Sequence, residues 1–306
     1  MRLLRHEADG SFSLCEFVGK DVPHYAVLSH TWGRDEDEVS YQDLANGGGR
    51  CKPGYKKIEF TGKQAARDDL QYFWVDTCCI DKSSSAELSE AINSMFRWYR
   101  DAAKCYVYLS DVSADDSCGT SPSDSIQQSR WFTRSWTLQE LLAPPLVEFF
   151  SEEGRFLGDK RSLLQEIHHA TRIPMLALQG QPLSHFNVIE RISWARKRVA
   201  KREEDSAYSL LGLFDVHMPL IYGEGREKAF ARLTKEIRRP FNDAQPASFP
   251  FHPMQRERPK KPSRSHTKKF EVFNQFNASC GTQNISTGSG HQFPGASFSG
   301  PVYLDR

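Results

Sequence analysis

Two residues one helical turn apart, Trp136 and Glu140, are the first in this sequence whose types and spacing could do chemistry. On a helix, residues at positions i and i+4 share a face, so the indole and the carboxylate would be neighbours. A partly desolvated carboxylate can stabilise a developing positive charge, bind hydroxyl groups or form a covalent bond. The alternative is structural: Glu140 would cap or ion-pair its helix, and Trp136, like Trp131, would pack that helix onto a sheet.

A second polar group, Ser29, His30, Trp32 and Gly33, follows an apolar run. Gly33 would let the backbone approach a phosphate, and Ser29 and His30 could donate hydrogen bonds to a ligand. No Gly-x-Gly-x-x-Gly fingerprint accompanies them, so this motif is weak support for a nucleotide site. His30 is equally well explained as a structural histidine.

A third polar group, Asp76, Cys79 and Asp81, ends the next apolar run. The two carboxylates could hold a cation or a ribose. A Cys79 nucleophile paired with His30 would instead indicate a thiol enzyme, although buried cysteines are usually inert. Further along the chain, Arg134 could pair with phosphates or form a surface ion pair.

Four apolar runs and the segments between them must position these residues. The runs are apolar throughout, which is typical of strands covered on both faces. The strands are predicted at Tyr25–His30, Tyr72–Ile80, Cys105–Leu109 and Leu146–Phe150, and the helices at Gln64–Leu70, Ser84–Ala103 (with capping-box spacing at its start) and Thr137–Leu142. This alternation favours a mainly parallel α/β sheet, with the polar residues at the strand ends where such sheets bind ligands.

The sequence predicts three regions. Residues 1–150 would form the α/β core, with an N-terminal hairpin turning at Asp9-Gly10. Residues 151–240 read as a helical extension that includes a basic amphipathic segment over Val188–Ala200. Residues 241–306 are rich in Pro, Ser, Gly, Asn and Gln, which predicts a disordered tail.

Composition limits the classes of function. The net charge of +1 divides into about +4 after position 240 and about −3 before it, so the mildly acidic body gives no electrostatic reason to expect nucleic acid as a partner. No signal peptide and no run of about 20 apolar residues is visible. The seven cysteines, an odd number, fit reduced thiols, and no Cys or His spacing suggests a metal site. We therefore expect a cytoplasmic protein without a membrane span.

Six segments of the chain together resemble the heterokaryon incompatibility (HET) domain of filamentous fungi. They occur in the order and spacing of that family over roughly residues 1–238. The segments are Tyr25–Gly33 (YAVLSHTWG), Trp74–Asp81 (WVDTCCID), Arg134–Glu140 (RSWTLQE), Glu190–Ala195 (ERISWA), Glu204–Phe214 (EDSAYSLLGLF) and Met218–Gly225 (MPLIYGEG). One departure is Lys82, where the family often carries Gln; it places in doubt a side-chain contact at that loop.

The resemblance implies a role in vegetative nonself recognition, in which such proteins trigger growth arrest and death of incompatible fused cells. HET domains are regarded as distant relatives of Toll/interleukin-receptor (TIR) domains. Those domains have a flavodoxin-like fold, and some cleave NAD with the glutamate of a Trp-x-x-x-Glu element. Trp136 and Glu140 have that spacing.

These implications give an expected site and three competing functions. Glu140 would be catalytic, and the substrate NAD would bind to residues of all three groups: Ser29, His30, Trp32, Gly33, Asp76, Asp81, Arg134 and Trp136. No cofactor or metal is expected, and we expect self-association and an upstream sensor protein. The alternatives are a non-catalytic, self-associating signalling or adaptor module and, with no fingerprint to favour it, a metabolic enzyme on a flavodoxin-like sheet.

Overall fold

A computed structural model describes residues 1–7, 9–19, 21–115, 122–243, 286–287 and 291–292. The chain divides into two compact units, residues 1–247 and 248–306. In the second unit, Ser286–Thr287 pairs antiparallel with His291–Gln292. The remainder of the predicted disordered tail after residue 243 lies outside the described residues.

The first unit is built on a seven-stranded sheet. Its strands are β1 (Arg2–His6), β2 (Phe12–Glu16), β3 (Tyr25–His30), β4 (Tyr72–Trp74), β5 (Lys104–Tyr108), β6 (Val147–Phe150) and β7 (Phe156–Asp159), in the spatial order β2-β1-β4-β3-β5-β6-β7. The four central strands β4-β3-β5-β6 are parallel, whereas β1 pairs antiparallel with β2 and β4, and β7 with β6. Every residue of β3 is buried, so both faces of this central strand are covered.

Eleven α-helices are described in the first unit. They are α1 (Tyr41–Ala45), α2 (Tyr55–Arg67), α3 (Ser85–Asp101), α4 (Pro122–Gln128), α5 (Thr137–Leu142), α6 (Leu164–Thr171), α7 (Met175–Leu178), α8 (Val188–Ser193), α9 (Asp205–Tyr208), α10 (Leu211–Phe214) and α11 (Arg226–Asp243). Helix α2 packs on β3 and β4, and α3 packs on α5 and α10. Among the described helices, none combines the length and the apolar character needed to cross a membrane.

Helix α3 begins where its sequence predicts. The Ser84 side chain accepts a hydrogen bond from the backbone N–H of Glu87, as an N-cap residue does. The Glu87 carboxylate does not return this bond. It instead accepts from the Asp81 backbone N–H at 2.8 Å and forms a two-point ion pair with Arg2, which ties the start of α3 to β1.

The structure corrects several predicted elements. The sheet is mixed rather than mainly parallel, because the hairpin and the unpredicted strand β7 add antiparallel edges. Strand β4 stops at Trp74, since the amides of Cys78 and Cys79 turn back to the Val75 carbonyl and close a turn. The predicted strand was therefore too long, and the two cysteines do not lie on it.

Two predicted helices also have wrong bounds. Helix α2 begins at Tyr55, nine residues before the predicted start at Gln64. The basic segment predicted over Val188–Ala200 is helical only to Ser193. After that point, Val199 pairs in extended conformation with Arg134 and leaves the helical path.

Candidate functional site

Glu140 lies in the interior of the first unit. It sits on α5, only 3% exposed, and its carboxyl group accepts a hydrogen bond from the Ser29 hydroxyl near the end of β3. The Trp131 indole N–H donates to the same Ser29 hydroxyl at 2.9 Å. The serine thus links the glutamate to a fully buried tryptophan whose ring packs edge-on against Phe149 of β6.

This environment changes the charge state of Glu140. Burial, reinforced by the nearby Asp76 carboxylate, raises the pKa of Glu140 to about 8, against the opposing effects of the Ser29 hydrogen bond and of Arg134 and Arg198. At neutral pH the side chain is therefore mostly a neutral carboxylic acid. In this conformation it can donate a proton, but it is not a carboxylate facing solvent.

Beside this pair, the carboxyl ends of β3 and β4 bring His30, Trp32 and Asp76 together. His30 Nε2 lies 3.0 Å from one Asp76 oxygen, and the Trp32 indole N–H donates to the other at 2.9 Å. Burial alone would raise the pKa of Asp76, but the hydrogen bond from His30, with help from Lys82 and Trp32, lowers it to about 2. Asp76 is therefore an anion, and its side chain remains 13% exposed.

Behind His30 lies a buried ion pair whose two members are not among the predicted site residues. Lys57 Nζ is 3.0 Å from His30 Nδ1, and it pairs with the Glu38 carboxylate. Glu38 also accepts a hydrogen bond from the Gly33 backbone N–H at 2.6 Å, which fixes the loop after β3. Because an ammonium can only donate, Nδ1 of His30 must accept, and Nε2 carries the proton that goes to Asp76. Burial and the Lys57 charge lower the pKa of His30, which keeps this tautomer neutral.

Two of the remaining predicted site residues, Asp81 and Trp136, have partners outside this cluster, whereas Arg134 acts electrostatically on Glu140. Asp81 accepts hydrogen bonds from Gln42 and from Ser83, so its carboxylate organises its own loop. Trp136 precedes α5 and interacts with the Asp205 carboxyl group, whose pKa is raised by burial and partly lowered again by this contact. The tryptophan joined to Glu140 through a shared hydroxyl is therefore Trp131.

The thiol alternative lacks its catalytic pair. Both ring nitrogens of His30 are engaged, one with Asp76 and one with Lys57. The Cys79 sulfur is buried and accepts from the Val75 backbone N–H at 3.4 Å. Within the described residues, no group of three or more His, Cys, Asp and Glu side chains is arranged to hold a metal ion.

Three residues absent from the predicted site complete its surroundings. Lys82, the departure from the family pattern, places its ammonium 3.8 Å above the centre of the Trp32 ring, a cation–π contact. Lys57 could have been found, because its spacing with the buried Thr61 and Ala65 puts it on the inner face of α2. Arg198, whose guanidinium donates to the Arg134 carbonyl at 2.8 Å, carried no such signal.

Comparison with known proteins indicates the family of this chain. Residues 25–124 match the family described as heterokaryon incompatibility protein (HET), and residues 274–305 match the sigma domain on NACHT-NTPases. Over 242 residues the chain is 58% identical to vegetative incompatibility protein HET-E-1 of Podospora anserina, an alignment that covers 78% of this chain but only 18% of that relative. No solved structure matches the chain. The chain belongs to the heterokaryon incompatibility (HET) domain family.

Proposed function

We propose that this chain is an effector of vegetative nonself recognition that acts in the cytoplasm and triggers death of incompatible fused cells. The observation that carries this proposal is the 58% identity to a vegetative incompatibility protein over 242 residues. The match of residues 274–305 to a domain found on NACHT-NTPases supports an upstream NTPase-type sensor. Self-association of the effector would then follow from assembly of that sensor.

The reaction we propose is cleavage of the bond between nicotinamide and ribose in NAD. In support, the parallel strands follow the order β4-β3-β5-β6, the order expected for a flavodoxin-like or TIR-like sheet. The strand order reverses between β3 and β5, because β4 is added on one side of β3 and β5 on the other. Open α/β sheets bind ligands at the carboxyl ends of strands beside such a point. Ser29, His30 and Asp76 lie at those ends.

Each group has a chemical role in this proposal. The Asp76 carboxylate accepts hydrogen bonds from ribose hydroxyls, and the half-buried Trp32 offers an aromatic face. As nicotinamide leaves with the bonding electron pair, the ribose becomes oxocarbenium-like, and an ionised Glu140 would stabilise this charge. Water then adds to the ribose, which gives nicotinamide, ADP-ribose and a proton. Since Glu140 is buried and neutral in this conformation, catalysis requires its ionisation and exposure.

A second candidate function is a non-catalytic, self-associating signalling module. The observation that favours it is the 3% exposure of Glu140 together with its hydrogen bond from Ser29, an arrangement that stabilises α5 against β3. In this case Glu140 is a structural residue, and killing depends on surfaces rather than on hydrolysis.

Glu140→Gln separates the two candidates, because the amide keeps the shape and the neutral charge of the protonated acid but cannot ionise. Purified full chain at high concentration is incubated with NAD, and nicotinamide release is followed; NAD level and viability are then measured together in a fungal host. The control is Glu227→Gln, at an exposed position on α11. The enzyme proposal requires release by the wild type and by the control, and its loss in Glu140→Gln. Killing by Glu140→Gln at normal NAD levels would establish the signalling module instead.

A further inference from the structure

Arg198 is a buried cation that forms no ion pair with a carboxylate among the described residues. It is 7% exposed, and one guanidinium nitrogen, Nη1, donates at 2.8 Å to the Arg134 carbonyl and at 2.8 Å to the Thr137 hydroxyl. Its other terminal nitrogen, Nη2, is buried without a hydrogen-bond partner in the described part of the chain. An unpaired buried donor on a charged group is costly, so this position calls for an explanation.

The surroundings of Arg198 place it beside Glu140. Thr137, which accepts the Arg198 hydrogen bond, lies three residues before Glu140 on α5, and residues at that spacing are neighbours on a helix surface. Burial raises the pKa of Glu140 and lowers that of Arg198, but the charge of each group opposes this shift and favours the charged form of the other.

Backbone pairing holds Arg198 at this position. The Val199 N–H donates to the Thr133 carbonyl at 2.6 Å, and the Ser135 N–H donates to the Val199 carbonyl at 3.0 Å. The chain around residue 199 thus adds a short extended segment to the residues just before α5. A side chain from far along the sequence is thereby fixed against the helix that carries Glu140.

We propose that Arg198 is the counter-charge of Glu140: when Glu140 ionises, its carboxylate pairs with the free Nη2 of Arg198. The inference rests on the proposed function in one respect, since it supplies the ionised Glu140 that NAD cleavage needs. Arg198 belongs to the mainly helical region that follows the sheet, so a residue of that region would act on the glutamate. Arg198 is in this sense a positioning residue, because it acts through Glu140.

Other charged and titratable groups also face Glu140 from the elements packed around it. Asp76 opposes the ionisation of Glu140, whereas Arg134 and Arg198, together with the Ser29 hydrogen bond, favour it. The neighbours are Asp76 after β4, Tyr99 on α3, Cys105 on β5, and Arg134 and Arg198. Of the two arginines, Arg198 is the buried one whose Nη2 has no hydrogen-bond partner among the described residues, so it is the one with a nitrogen available to the ionised carboxylate.

The experiment measures the titration of Glu140 directly. The full chain is labelled with ¹³C at the glutamate carboxyl carbons, the Glu140 signal is assigned by its loss in Glu140→Gln, and its shift is followed from pH 5 to 10. Arg198→Met should raise the midpoint by about one pH unit, since loss of a close opposite charge raises a carboxyl pKa by at least that amount. Arg198→Lys keeps the charge and should leave the midpoint near the wild-type value.

The matched control is Arg191→Met. Arg191 also has a buried nitrogen without a partner among the described residues, but its guanidinium donates to the Leu213 carbonyl and lies over the Phe214 ring. Its removal should not move the Glu140 midpoint. If Arg198→Met melts before the titration is complete, Arg198→Gln replaces it as the neutral variant.

An unchanged Glu140 midpoint in the folded neutral variants would overturn the proposal. So would an equal shift in Arg191→Met, because the shift would then reflect general loosening. The titration needs no turnover, so an absence of nicotinamide release would count against NAD cleavage and leave the charge pairing standing.

Discussion

Replacing Glu140 by glutamine should change how the stability of the protein depends on pH. Burial raises the pKa of Glu140 from its ordinary value of 4.5 to about 8, so the folded state retains a proton that the unfolded chain releases. Below pH 4.5 the acid is protonated in both states, and the folded protein carries no penalty. As the pH rises towards 8, the unfolded state gains free energy from ionisation that the folded state does not, and stability falls.

The magnitude follows from the shift. One pKa unit corresponds to about 1.4 kcal/mol, so the loss accumulates to about 5 kcal/mol once the pH exceeds 8. Glutamine does not titrate, so Glu140→Gln escapes this loss. The free energy of unfolding of the variant, minus that of the wild type, should therefore rise by about 1.4 kcal/mol per pH unit between pH 5 and pH 8.

Urea denaturation at pH 5, 6, 7 and 8, followed by circular dichroism, measures this difference. The wild type and Glu140→Gln are compared with Glu227→Gln, which removes a carboxylate from an exposed position and should follow the wild type at every pH. Parallel pH profiles for the wild type and Glu140→Gln would refute the reasoning, because Glu140 would then titrate alike in the folded and unfolded states.

Two further predictions concern packing and charge in the core. Lys57→Met leaves Glu38 without its buried partner and should lower the free energy of unfolding by about 3–5 kcal/mol, whereas Lys63→Met on the exposed side of α2 should cost less than about 1 kcal/mol; urea denaturation at pH 7 measures both. Equal losses would mean that the Lys57 pair is not buried in solution. Gly212→Ala places a methyl carbon 2.0 Å from the Phe96 Cβ atom and should cost about 1–3 kcal/mol, while at Gly33 the nearest atom is 3.5 Å away and alanine should be tolerated. Thermal melts compare these two variants, and a normal melting temperature for Gly212→Ala would contradict the close packing of α10 on α3.

Local sequence signals predicted the elements whose structure is decided locally. Asp9-Gly10 predicted the N-terminal hairpin, and Ser84 predicted the start of α3, because turn and cap residues act within a few positions. The run over Tyr72–Ile80 was read as one strand because burial gives a turn the same apolar composition as a strand. Strand β7 was missed because Phe156–Asp159 is a short edge strand with an exposed phenylalanine and no long apolar run.

The candidate site was partly predictable for a topological reason. Parallel strands end at the same edge of a sheet, so polar residues after β3 and β4 were expected to meet, and His30, Trp32 and Asp76 do so. The identity of the tryptophan linked to Glu140 depended on the short 3₁₀ turn at Arg130–Thr133, which helical spacing alone cannot place. The burial of Arg198 could not be predicted, because a basic segment is typical of a solvent-exposed surface unless its tertiary partner is known.

The two buried networks differ in charge balance, and this difference indicates which of them can change state. Around His30, the anions Glu38 and Asp76 are matched by Lys57 inside and by Lys82 over Trp32, so a change in any one member would leave a charge unpaired. Around Glu140 the opposite holds: the acid is neutral, and Nη2 of Arg198 has no hydrogen-bond partner in the part of the chain that the structure describes. Ionisation of Glu140 would give Arg198 a carboxylate partner and would leave neither charge unpaired. The first network is thus suited to hold the strand ends rigid, and the second to take up the charge change that a catalytic Glu140 requires.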